Sequence, residues 1–128
     1  MKTVQKSANA VLILEDDQDL ADSIRLFLED AYPVYIISDP AELNTYISKY
    51  RIGLLVTDLD ISSPNLKNNL LDIKSTNPNI KIILMYMFLD EDGHKNHSIL
   101  KEADDHIFKP FDADVFRYKI DRLLSLKH

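Results

Sequence analysis

Five acidic residues and a lysine stand where short apolar runs end. Val11-Leu12-Ile13-Leu14 runs into Glu15-Asp16-Asp17, Leu54-Leu55-Val56 into Thr57-Asp58-Leu59-Asp60, and Ile107-Phe108 into Lys109-Pro110. Carboxylates that share a crevice repel one another unless a cation lies between them or some of them take up protons. Hard oxygen donors that leave room for water suit Mg2+, with Mn2+ as a substitute. A lysine arriving from the other side offers a point charge to an anion held on Asp58. A metal and an ammonium flanking one carboxylate are what in-line phosphoryl transfer onto that carboxylate requires.

That chemistry needs the runs to be neighbouring strands. Val34 to Ile37 and Ile80 to Tyr86 complete a set of five apolar runs with little polar alternation, as expected of strands in a sheet covered on both faces. Amphipathic stretches separate them. Leu20, Ile24, Phe27 and Leu28 fall at helical spacing behind Asp19 as N-cap, with Asp17 and Asp19 favourable to the helix dipole. Asp39-Pro40-Ala41-Glu42 opens a helix that buries Leu43 and Ile47. Leu66, Leu70 and Ile73 mark a third helix ending before Asn77-Pro78, and a fourth is expected over roughly Glu91 to Ala103. Asp112 is expected to cap the last helix, with Phe116, Ile120, Leu123 and Leu124 facing inward. Five strand–helix repeats predict an α/β fold: a doubly wound (βα)5 three-layer sandwich on a parallel five-stranded sheet of order 2-1-3-4-5, flavodoxin-like. Such sheets bind ligands outside the carboxyl ends of their strands. In that order strands one and three are adjacent, so Glu15, Asp16 and Asp58 converge.

Composition narrows the class. The 128 residues fit one domain, 1–128, with 1–9 as a disordered or extended lead; 45% are apolar and 28% charged. There is no cysteine, hence no disulfide and no thiolate metal site. No apolar run approaches the roughly 18 residues of a membrane span, and the first ten residues lack a signal-peptide core, so a cytoplasmic location is expected. A net charge of −6 without a lysine or arginine cluster argues against direct nucleic-acid binding.

Nearly the whole chain resembles the receiver domains of two-component response regulators (CheY-like). Leu12 to Asp17 followed by Asp19-Leu20, Leu54 to Asp58, and Ala103-Asp104-Asp105 through Lys109-Pro110-Phe111-Asp112 are similar to the family's three signature segments. The resemblance implies that Asp58 accepts a phosphoryl group from a sensor histidine kinase or phosphotransfer protein. It also implies Mg2+ on Asp16, Asp58 and the Asp60 backbone carbonyl, with Glu15 acting through water and Lys109 pairing with the phosphoryl oxygens. The implied partner surface, open to homodimerisation, is the fourth helix, fifth strand and last helix. The chain departs from the family at three places: Tyr86 stands where a Thr or Ser hydroxyl is usual, and His106 falls at the switch aromatic. After Asp58, Ser62 replaces the usual proline, with Pro64 nearby and no glycine before Gly93.

Other functions fit less well. Asp58-Leu59-Asp60 also resembles the DxD of haloacid-dehalogenase-type phosphatases, but Ile61-Ser62 follows instead of Gly-Thr and the chain is short for that family. A Toprim-type nucleic-acid site lacks its glycine after Glu15. A phosphorylation-independent docking or dimerisation module is the alternative that Tyr86 and the altered loop support. The expectation is therefore a conformational relay, not a turnover enzyme.

Overall fold

The computed structural model describes residues 9–58, 65–87 and 102–124. They build β1 (Ala10–Leu14), α1 (Gln18–Leu28), β2 (Val34–Ile37), a 3-10 turn (Pro40–Glu42) leading into α2 (Leu43–Lys49), and β3 (Ile52–Asp58). Then come α3 (Leu66–Thr76), β4 (Lys81–Met87), β5 (Asp105–Lys109) and the last helix, α4 (Ala113–Leu124). The sheet is parallel throughout, in the order β2-β1-β3-β4-β5. The expected topology is present. Most of the predicted fourth helix, with the Asp60 carbonyl, Ser62, Pro64 and Gly93, lies outside the described residues, as does the expected lead apart from Asn9.

Alternation along the strands sorts the apolar residues into two layers. Leu12, Leu14, Leu55 and Leu84 face one core with α2 and α3, and Val11, Ile13, Val56 and Ile83 face the other beneath α1 and α4. β1 and β3 are buried at every position, so both faces had to be apolar and neither could alternate with polar residues. The edge strands differ from that expectation. Val34, Tyr35 and Ile36 of β2 are half-buried, and Phe108 of β5 is 45% exposed, because an edge strand has a neighbour on one side only.

Helix ends follow local hydrogen-bond supply. Asp17, not Asp19, caps α1: its Oδ1 accepts from the Leu20 N–H at 3.2 Å, while Asp19 lies inside the first turn. The cap falls two residues early because the carboxylate needs an N–H three positions on, and Asp17 ends the strand turn. Asp39 accepts from the Ala41 N–H at 2.9 Å, and Asp112 accepts from the Asp114 N–H at 2.8 Å, both as expected. The cluster of Tyr35, Tyr46 and Tyr50 packs ring on ring, with Tyr35 and Tyr50 stacked at 4.1 Å.

Polar contacts clamp α4 on both flanks. Asp105 of edge strand β5 accepts from its neighbour's His106 N–H at 2.8 Å, from Lys119 at 3.1 Å and from Arg122 at 3.2 Å. Burial alone would raise the Asp105 carboxyl, but these donors together hold it below the usual aspartate value. On the other flank Arg117 donates to the Phe27 carbonyl at 3.1 Å, where the end of α1 has no further helical N–H to offer. Beside it the Tyr32 hydroxyl donates to Asp121 at 2.5 Å. Burial, reinforced by the Asp121 charge, pushes the Tyr32 phenol up to about 12.

That contact has a pH signature. The folded Tyr32 value lies above the unfolded one near 10, so its stabilisation is complete below pH 10 and is lost as pH rises towards 12. Ultraviolet titration of tyrosinate is expected to show a step at about 12 that Tyr32→Phe removes. An unchanged titration in that variant rules out the clamp.

Candidate functional site

Parallel strands bring their carboxyl ends to one edge of the sheet, and the register decides which side chains meet there. Leu14 of β1 and Leu84 of β4 both pair with Thr57 of β3, so Glu15 follows β1 at the level of Asp58, and Met85 pairs with Asp58 directly. Met87 pairs with Lys109, which carries β5 to the same edge. Glu15 and Asp58 are 2% and 3% exposed, whereas Asp16 faces solvent. One carboxylate oxygen from each of the three lies within 4.8 Å of the others. The convergence expected of Glu15, Asp16 and Asp58 is present.

Lys109 closes the group. Its Nζ donates to Asp58 Oδ2 at 2.5 Å and lies 3.3 Å from Glu15 Oε1. Two buried carboxylates side by side cost too much in a low dielectric without such a cation. Burial alone would lower the Lys109 ammonium, but the hydrogen bond and charge of Asp58, with Glu15 adding to them, hold it above the ordinary lysine value. It remains a cation at any physiological pH.

Glu15 is the strained member. Burial pushes its carboxyl above the usual glutamate value and the nearby Asp58 adds to this, against the pull of the Asp17 N–H and of Lys109. The Asp17 N–H donates to Glu15 Oε2 at 3.0 Å. Glu15 Oε1 is buried and has no hydrogen-bond donor in good geometry, leaving an acceptor turned towards the crevice. Asp17 thus has two tasks: its side chain starts α1 and its backbone orients Glu15. Residue type alone does not separate Asp17 from Asp19 as the cap; the path of the chain leaving β1 does.

Tyr86 lies one residue past the Asp58–Met85 pair, on the sheet face that carries His106 and Phe108. Its ring packs against Phe108 at 4.5 Å and edge-on to His106 at 5.7 Å, and burial raises its phenol. The side chain is therefore engaged with β5. His106 itself is exposed.

A family model described as the response regulator receiver domain matches residues 11–121. Regulatory protein VanRB of Enterococcus faecalis is 28% identical over 115 residues, 89% of this chain and 51% of its own length. Aerobic respiration control protein ArcA of Escherichia coli is 28% identical over 117 residues, 90% of this chain and 48% of its own. The chain spans about half the length of the curated relatives it matches. The fold is matched by a solved CheY-like receiver domain protein of Methanospirillum hungatei, with a TM-score of 0.80 at 23% identity. That match covers 91% of this chain and 94% of the other.

Charge compensation makes a direct prediction. Lys109→Met leaves Glu15 and Asp58 buried without their cation, and a loss of about 3 kcal/mol is expected at pH 8 in EDTA. The Glu15 carboxyl, already raised by burial and partly offset by Lys109, rises further in the variant, so the penalty shrinks as pH falls and protons replace the ammonium. Urea unfolding at pH 8 and pH 5 measures both; equal losses at the two pH values contradict the assignment.

Proposed function

Because the chain belongs to the response regulator receiver family, we propose that it relays a two-component signal by accepting a phosphoryl group on Asp58. The observation that carries this reading is Lys109 Nζ, 2.5 Å from Asp58 and 3.3 Å from Glu15, beside an acidic trio. The donor in this reading is the phosphohistidine of a sensor histidine kinase or phosphotransfer protein. A carboxylate oxygen of Asp58 forms the new bond to phosphorus as the bond to the donor nitrogen breaks, and the imidazole leaves. Lys109, already a cation at hydrogen-bond distance, turns its donors to the arriving phosphoryl oxygens.

A divalent cation fits the residues present. Glu15, Asp16 and Asp58 offer hard carboxylate oxygens, and Glu15 Oε1, ion-paired with Lys109 but without a hydrogen bond in good geometry, keeps acceptor capacity for a cation's water. We assign Mg2+, or Mn2+, to these residues, with the Asp60 carbonyl as a further donor suggested by the family resemblance. When bound, it would neutralise negative charge on the transferred group. In this reading Asp16, exposed at the mouth, would hold the cation directly and Glu15 would act on it through water.

The same reading treats residues 1–128 as one receiver unit working in the cytoplasm. No helix among the described residues is long and apolar enough to cross a membrane. The surface proposed for partners, including a second copy, is that of the expected fourth helix, β5 and α4; on the last two Phe108, Val115 and Tyr118 are exposed. The packing of Tyr86 against Phe108 and His106 alters the usual readout. A tyrosine hydroxyl stands several ångströms farther from its backbone than a threonine hydroxyl, so it does not stand in for one.

Incubation with acetyl phosphate and Mg2+ is expected to add the mass of one phosphoryl group, stable to acid and labile to base. Asp58→Asn and EDTA should each abolish it; an adduct that survives Asp58→Asn overturns the assignment. Tyr86→Thr is expected to keep the adduct while enlarging the amide shift changes that phosphorylation produces in β4 and β5, as followed by NMR. Identical shift changes in both proteins refute a special effect of the tyrosine.

A further inference from the structure

Among the described residues, two buried side-chain polar atoms lack a hydrogen-bond partner, and both belong to residues beside Asp58. One is Glu15 Oε1, which Lys109 and the proposed cation account for. The other is Thr57 Oγ1, and nothing in the phosphoryl chemistry uses it. Thr57 is wholly buried at the penultimate position of β3, paired with Leu14 and Leu84. Side chains alternate along a strand, so Thr57 points away from the Asp58 side, towards the layer of Leu55 and Leu84 beneath α2 and α3. It is the only Ser or Thr on β1, β3 and β4.

Valine has nearly the shape of threonine and would fill this place without leaving a hydroxyl unbonded, which is unfavourable in an apolar layer. A polar group left unsatisfied in one state of a protein favours any second state that satisfies it. Thr57 shares a peptide bond with the residue that would be loaded, so movement of the β3 end on one face is felt at once on the other.

Resting on the reading of Asp58 as phosphoacceptor, we propose that Thr57 is a positioning residue whose hydroxyl gains its partner when Asp58 is loaded. It thereby couples the occupied site to the α2–α3 face. The hydroxyl does not touch the phosphoryl group; it holds the displaced end of β3 from behind. This route is independent of position 86, where the tyrosine is engaged with β5.

Beryllofluoride with Mg2+ serves as a non-covalent mimic of the loaded carboxylate. Thr57→Val is expected to bind it about tenfold more weakly than the natural protein, the scale of one hydrogen bond. The unloaded variant should melt no lower than the natural protein. Thr57→Ser, which keeps the hydroxyl, should recover most of the affinity even where losing a methyl lowers its melting temperature. In the unsubstituted protein the Thr57 methyl resonance should shift on loading, a readout that needs no variant. Equal affinity of Thr57→Val and the natural protein, or an unmoved Thr57 methyl, overturns the role of Thr57 while leaving Asp58 as acceptor. Absence of beryllofluoride binding by the natural protein overturns the Asp58 reading and this one with it.

Discussion

Everything at the carboxyl edge of the sheet depends on one contact, the Lys109 ammonium set between Asp58 and Glu15. Two carboxylates nearly excluded from water repel each other strongly, and no packing arrangement removes that cost. A cation must be brought to them, and here it comes from β5, two strands away from β3 in the order β1-β3-β4-β5. The lysine stem spans β4. This explains why Met85, an uncharged and flexible side chain, sits between Asp58 and β5 at that level. It also ties the placement of β5 to the charge state of the site. Asp105 and α4 fix one side of the strand through Lys119 and Arg122, and Lys109 fixes its end.

The compensation is incomplete, and the proposed chemistry rests on that. Lys109 brings one charge to a group of three carboxylates, and Glu15 keeps an oxygen without a good donor and a carboxyl raised by burial. A fully satisfied cluster would be inert. A site short of positive charge and of donors favours whatever supplies them, which is the basis for the proposed cation. The chemistry proposed for Asp58 is thus built from one imbalance, held in place by the pairing of β1, β3, β4 and β5.

Much of this is legible in the sequence. Unbroken apolar runs at Val11–Leu14 and Leu54–Val56 announced strands covered on both faces, and the carboxylates following them announced the site. Asp39 and Asp112 are legible as caps because a short acceptor immediately before a helical run has few other uses. The α1 cap was misplaced by two residues, since Asp17 and Asp19 are alike in chemistry and only the direction of the chain leaving β1 separates them. The edge strands resembled the central ones because Val, Tyr, Ile and Phe suit either position; exposure of Phe108 depends on what flanks β5. Thr57 passed unnoticed, as threonine is an ordinary strand residue and an unbonded hydroxyl leaves no trace in a sequence.

What the sequence determined by itself is therefore the list of reacting groups and the period of the elements that carry them. Residue type sets whether a side chain can be a ligand, a cation or a nucleophile, and hydrophobic period sets which face it occupies. What only the tertiary structure decided is distance and solvation. Register placed Glu15 beside Asp58, the path of β5 delivered Lys109 to both, and the packing of β4 on β5 turned Tyr86 towards Phe108. Proton affinity and reach depend on burial and on neighbours far apart in the chain. Those are properties of the folded arrangement, which local patterning does not encode.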